Sequence, residues 1–261
     1  MSIFKKNSPN WEISELLEEI KNFSTIYKER PIKKNVHGMR FQHMLITYFI
    51  LKKIKPSMVI ESGVFRGQST WLIERTLPDC KILSIDIDLS NREYISKKAN
   101  YSNVDFKDQD FSNIPDDTLV FFDDHVNHFE RLQQAKFFNI KNIILEDNYQ
   151  INEGDFYTFK HAFSGNGFNH KYTKLSLVKT FWTFFKNIIK KFFMNNFYFN
   201  IDDLKFRLRD QVPNKNHFKN IEKNINIYFE FPNIAEHINE NIGVSKEEIE
   251  SFNNITFIKL K

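Results

Sequence analysis

Acidic residues recur in this chain directly behind short apolar runs. Met58-Val-Ile-Glu-Ser-Gly63 opens the series, and Ile82-Leu-Ser-Ile-Asp86, Phe121-Phe-Asp-Asp-His125 and Ile143-Ile-Leu-Glu-Asp-Asn-Tyr149 continue it. Neighbouring carboxylates repel strongly at low effective dielectric unless a cation or a proton relieves them. The four acids Asp123, Asp124, Glu146 and Asp147 therefore suit a positively charged guest. The competing reading gives each pair one solvent-facing residue and one helix cap.

The glycine loop Glu61-Ser-Gly-Val-Phe-Arg-Gly67 lacks the third glycine of a dinucleotide fingerprint and carries no Walker lysine. A loop without a phosphate grip suits a cofactor that has none. Asp86 follows the loop by about 20 residues, where open α/β folds hold a ribose hydroxyl pair. The alternative is a helix N-cap. Asp110, or Asp108, either faces an adenine edge or lies in solvent.

Several strands must deliver these groups to one edge of a parallel sheet, where such folds bind their ligands. Apolar spacing of three and four predicts helices from Trp11 to Tyr27 and from Arg40 to Ile54, together the N-terminal helices of residues 1–55. Strands follow at Met58–Ile60, Lys81–Ile85, Asn103–Lys107, Thr118–Phe122 and Lys141–Leu145. Helices intervene from Gln68, where Ser69 or Thr70 can cap the free amides, and over Phe129–Phe138. This alternation indicates βαβ units. Phe156–Phe163 is a helix candidate, and Asn224–Pro232 and Ile255–Leu260 are the last strands, with Phe229, Glu230, Phe231 and Pro232 expected from chain order to form the far wall of the site. Ser245-Lys-Glu-Glu248 is a capping-box start before Ile249.

Residues 171–223 form a helical insertion in which Leu175 to Phe199 is aromatic and lysine-studded. It is read as a lid or a dimer surface, with a peripheral membrane contact as the alternative. The whole of residues 1–261 is taken as one domain.

Composition narrows the class. Aromatics make up 16 % of the 261 residues and charged residues 27 %, enough to bury a core and stay soluble. A net charge of +4, from 37 basic and 33 acidic residues scattered along the chain, argues against nucleic acid, which calls for a basic stripe. The one cysteine, Cys80, excludes an internal disulfide and a Cys-rich zinc site. The first residues lack the apolar core of a signal peptide, and no apolar run approaches the ~20 residues of a membrane span. A cytoplasmic protein is expected.

The run Val59 to Thr70, with Ser84-Ile-Asp86, Phe121 to His125 and Leu145 to Tyr149, resembles the class I S-adenosylmethionine-dependent methyltransferases. Within them it is most similar to the cephalosporin hydroxylase-like and macrolide-sugar O-methyltransferase group, over roughly residues 40–160. The resemblance implies a Rossmann-like α/β fold, a seven-stranded, mostly parallel sheet with its last strand antiparallel and helices on both faces. It implies a cofactor set of Glu61, holding the amino group, with Gly63, Gly67, Ser69, Asp86, Asp110 and Asp123. It also implies Mg²⁺ on Asp123, Asp124, Glu146 and Asp147, where it would lower the pKa of a sugar hydroxyl. A base must then take the proton. His125 and His128 are the nearest candidates in sequence, with His128, at the start of the helix, preferred, and either histidine can instead be structural.

The expected activity is O-methylation of a sugar or glycoconjugate precursor by a protein able to form homo-oligomers. A facial-triad oxygenase ranks below it, because no His-His-carboxylate spacing stands out. The non-enzymatic alternative is a cofactor-fold scaffold that uses the aromatic insertion as its interface.

Overall fold

The central strands are apolar without alternation because helices cover both of their faces. In the computed structural model, which describes residues 7–150, 154, 156–164, 215–238, 242–251 and 254–261, seven strands form one sheet. They are β1 (Met58–Ser62), β2 (Lys81–Ile85), β3 (Ala99–Ser102), β4 (Leu119–Phe122), β5 (Asn142–Leu145), β6 (Ile225–Glu230) and β7 (Thr256–Leu260). Their order is β3-β2-β1-β4-β5-β7-β6, with β7 antiparallel to both neighbours and the β3-to-β5 pairs all parallel.

Strand parity sorts the core into two layers. Val59, Ile82, Phe121, Ile144 and Phe257 point to one face, under α1 (Ile13–Lys28), α2 (Phe41–Ile54) and α3 (Gln68–Thr76). Ile60, Val120, Phe122, Ile143 and Ile258 point to the other, under α4 (His128–Phe137), α5 (Phe159–Ser164) and α6 (Lys215–Asn224). Helix α1 buries Leu16, Ile20, Phe23 and Tyr27, the stripe its spacing predicts. Helix α2 is buried along nearly all of Phe41 to Leu51, as its apolar richness requires. Trp11 seals the end of this layer against Phe49 and Phe257, at 5.8 and 4.9 Å between ring centroids.

Three local expectations are corrected. The third strand is Ala99–Ser102, not Asn103–Lys107, because residues 99–102 are the ones in register with β2. The apolar residues that suggested the later segment have other places: Val104 is exposed, and Phe106 is buried in a short 3₁₀ turn capped by Asp105. Neither Ser69 nor Thr70 caps α3. Gly67, at φ +89, is the N-cap residue, and a Cβ there would lie 2.4 Å from the Tyr94 carbonyl oxygen. Phe229 and Phe231, expected to wall the site, instead pack on each other and on Trp11.

Ser245 does cap α7 (Lys246–Glu250), accepting from the Glu248 amide. The aromatic run 175–199 lies outside the described residues, as does the insertion up to residue 214. Among the described residues, no helix is long and apolar enough to cross a membrane.

Candidate active site

Ladder hydrogen bonds continue one residue past each strand and bring the predicted acids to a common level. Gly63 N donates to Ile85 O, Asp86 N to Ser102 O, Asp123 N to Ser62 O and Glu146 N to Phe122 O, all within 2.8–3.1 Å. The carboxyl ends of β2, β1, β4 and β5 thus form one continuous edge. Gly63 is where two of them nearly touch: a Cβ on it would lie 2.0 Å from the Asp123 carbonyl oxygen.

Above this edge opens a cavity of about 440 Å³, lined among others by Gly63, Phe65, Asp86, Ile87, Asp123 and Arg131. That is large enough for a nucleoside-sized ligand. Exposed Phe65 and Ile87 give its rim an apolar surface. Asp86 ties the glycine loop down: Oδ2 accepts from Val64 N and Phe65 N at 2.9 and 3.0 Å, and Oδ1 from Asp88 N at 2.9 Å. A carboxylate has about four acceptor positions, so Oδ1 keeps capacity for a ligand hydroxyl.

Of the residues expected to bind the cofactor, Gly63, Asp86 and Asp123 line this cavity, and four do not. Glu61 is fully buried beneath the loop, where Thr70 Oγ1 and Ser84 Oγ donate to its Oε2 at 2.6 and 2.5 Å. Burial pushes its carboxyl above the ordinary range, against the hydroxyl bonds that lower it. Gly67 and Ser69 belong to the start of α3 behind the loop. Asp110 is exposed outside the cavity, accepting from Ser112 N in a turn.

The acidic cluster divides. Asp124 turns to Arg131, with Nη2 2.8 Å from Oδ2, and also accepts from Ser62 Oγ. Arg131, 2 % exposed, reaches Asp105 with its other contacts, Nη1 to Oδ1 at 3.0 Å and Nη2 to Oδ2 at 3.2 Å. Its guanidinium lies 5.6 and 5.7 Å from the ring centroids of Phe106 and Phe122. Neither Arg131 nor Asp105 stands out in the sequence, because the first reads as an ordinary exposed helix residue. A helix face turned inward by Leu132 and Ala135 was the available signal.

The other acids gather around a histidine. Asp123, His125 and Asp147 present ligand atoms that all lie within 4.8 Å of one another. Tyr149 donates its hydroxyl to Asp147 Oδ2 at 2.6 Å. Glu146 sits behind, hydrogen-bonded to Asp123 and 3.1 Å from His43 Nδ1. Burial and the neighbouring Glu146 push Asp123 well above the carboxylate range. Burial likewise lifts Glu146, to about 7.

That shift has a measurable sign. Between the ordinary value of 4.5 and about 7 the folded chain holds a proton on Glu146 that the unfolded chain has lost. Native stability without added metal should therefore fall as pH rises through this window. Thermal melts across it should show the slope, and Glu146→Gln should flatten it; an unchanged slope in the variant would assign it to other groups.

The two histidines are placed differently. Burial drives His128 down to about 3, so it is neutral and a weak base at physiological pH. His125 is half-exposed at the cavity rim.

No family profile matches the chain, and no curated protein does. Solved structures are similar to it. One is an O-methyltransferase from Bacillus cereus in complex with SAH, at 9 % identity and a TM-score of 0.47, covering 100 % of this chain and 94 % of that one. Another is TomG from Streptomyces achromogenes, an O-methyltransferase involved in tomaymycin synthesis, in complex with SAM: 9 %, 0.46, and 95 % and 90 % of the two chains. CmcI with Mg-SAM matches at 18 % and 0.35 over 56 % of this chain and 69 % of its own. By its own sheet order, with β7 antiparallel to both neighbours, this chain has the Rossmann-like α/β fold with a reversed final strand.

Proposed function

We propose that this chain is an S-adenosylmethionine-dependent O-methyltransferase, assisted by a divalent cation, that acts in the cytoplasm on a hydroxyl of a sugar or glycoconjugate precursor. The observation that carries the reading is the charge and position of the cavity. It lies over the glycine loop at the carboxyl edge of β1, β2 and β4, and five carboxylates line it against the single guanidinium of Arg131. Two of the five, Asp105 and Asp124, are already paired with Arg131. Of the remainder, burial lifts Asp123 above the carboxylate range, and Asp86 and Asp88 repel a phosphate-bearing cofactor and attract a cationic one.

S-adenosylmethionine supplies a methyl carbon on a positively charged sulfur. The chain's own residues bind and orient it. Gly63 keeps the loop open to close approach, Asp86 offers Oδ1 to the ribose, and Phe65 and Ile87 offer apolar faces to the base. The acceptor hydroxyl belongs on the Asp123 and Asp147 side of the cavity, where a divalent cation would lower its pKa. Asp123, His125 and Asp147 have the donor types and spacing to hold that cation. With His128 too weak a base, the proton leaves toward solvent at the open rim.

Calorimetry tests the reading. S-adenosylmethionine should bind in the micromolar range and NAD⁺ should not. Because the sulfonium carries the charge that the carboxylates attract, S-adenosylhomocysteine should bind less tightly, and added salt should narrow the difference. No binding of S-adenosylmethionine at high micromolar concentration would leave the non-catalytic scaffold as the reading.

A further inference from the structure

We infer that His125 is a metal ligand and that the site selects a first-row transition-metal dication, Mn²⁺ being the probe of choice, over Mg²⁺. The inference deepens the proposed function by naming the cation class of that same site. It starts from the way the acids divide. Arg131 and Ser62 engage Asp124, so a site built from four carboxylates is not what the fold assembles. Instead Asp123 and Asp147 converge with an imidazole.

The spacing fits a shared ion. His125 Nε2 lies 3.8 Å from Asp147 Oδ2. Two donors on one ion, each about 2.1 Å from it, stand about 3–4 Å apart at the angles of octahedral or trigonal coordination.

Backbone geometry puts both groups there at a cost. His125 has φ 54 and Asp147 φ 58, left-handed conformations that residues other than glycine rarely adopt. A second observation comes from the opposite wall. His128, 3 % exposed, lines the same small recess as Asp123, His125 and Asp147, and its buried Nδ1 has no hydrogen-bond partner. A water bound to the ion could donate to it. Tyr149, through its bond to Asp147, fixes one carboxylate in place, as outer groups around metal sites do.

Donor chemistry then sets the choice of ion. Mg²⁺ is a hard cation that takes oxygen ligands and keeps its waters. Imidazole adds little to its binding, whereas nitrogen donors favour the later first-row dications, and mixed carboxylate–imidazole sites serve Mn²⁺ and Fe²⁺. His125 therefore raises affinity for the second group and leaves the first nearly unchanged.

The test uses the full chain without S-adenosylmethionine and follows Mn²⁺ by electron paramagnetic resonance. Wild type should bind one Mn²⁺, resist displacement by a large excess of Mg²⁺, and show ¹⁴N coupling from a coordinated imidazole in pulsed spectra. His125→Asn tolerates the left-handed backbone, so the fold survives, and circular dichroism checks it. This variant should lose the ¹⁴N coupling and about tenfold or more of Mn²⁺ affinity, with Mg²⁺ affinity within about twofold of wild type. Asp123→Asn should weaken both ions.

Mn²⁺ bound without ¹⁴N coupling, equal loss of both ions in His125→Asn, or no Mn²⁺ bound by wild type would each overturn the inference. Calorimetry with S-adenosylmethionine on the same preparation keeps the two proposals apart. Cofactor binding without the Mn²⁺ signature sinks the metal assignment alone, and the signature without cofactor binding sinks the methyltransferase reading alone.

Discussion

Arg131→Met should cost about 3–5 kcal/mol of folding stability, the usual penalty for removing one partner of a buried charge network. The guanidinium is 2 % exposed and is the shared cation of Asp105 and Asp124. Its loss strands two carboxylates in the lining of the cavity. Burial pushes Asp105 upward, yet Arg131 and the Lys107 amide hold its carboxyl below the ordinary range, so the pairing outweighs the burial. In a chain of this size the penalty corresponds to a fall in Tm of roughly 10 °C.

Arg131→Lys should recover only part of the loss, because an ammonium cannot span both carboxylates as a planar fork does. Arg131→Met combined with Asp105→Asn should recover more, since the uncompensated charge rather than the missing contact dominates. Urea melts of the four proteins decide the matter. A loss under about 1 kcal/mol in the single variant would mean that solvent reaches the network and screens it.

Gly63→Ala should cost about 3 kcal/mol or more and abolish ligand binding in whatever protein still folds. At φ +99 the residue has the left-handed backbone that a side chain disfavours, and its Cβ would meet the Asp123 carbonyl oxygen at 2.0 Å and the carbon at 2.4 Å. Those are main-chain atoms of the β4 end, so relief requires moving Asp123 itself. Gly38 makes the matching control. A Cβ there first meets the Asn35 side chain, which can move at the cost of its bond to Met39 O, and no positive φ is involved. Gly38→Ala should fold with a loss of about 1 kcal/mol or less. Equal stability of the two variants would show that β1 and β4 separate easily at this edge.

Much of the scaffold was legible because the signals were local. Leu16, Ile20, Phe23 and Tyr27 are spaced for one helix face, and that face is buried. Val59-Ile60, Phe121-Phe122 and Ile143-Ile144 are doubly apolar, which only a strand covered on both faces needs. The third strand was misplaced for a physical reason. It is an edge strand whose partly polar residues, Ala99 to Ser102, are selected by register with β2 rather than by their own pattern. Phe106 belongs to the core beneath Arg131 and not to any strand.

The site divides along the same line. Sequence by itself determined that acids follow β2, β4 and β5 and that a glycine loop follows β1, because strand ends and residue types are properties of short segments. It also determined that the glycine loop has no phosphate grip. Only the tertiary structure decided which acids share a space. Parallel ladders brought Gly63, Asp86, Asp123 and Glu146 to one level, and a buried arginine drew Asp124 away from its neighbour. His125 stands beside Asp147 because two left-handed residues turn the chain there. Charge acts through space, and the distance between two carboxylates on different strands is fixed by packing and register, which no spacing along the chain records.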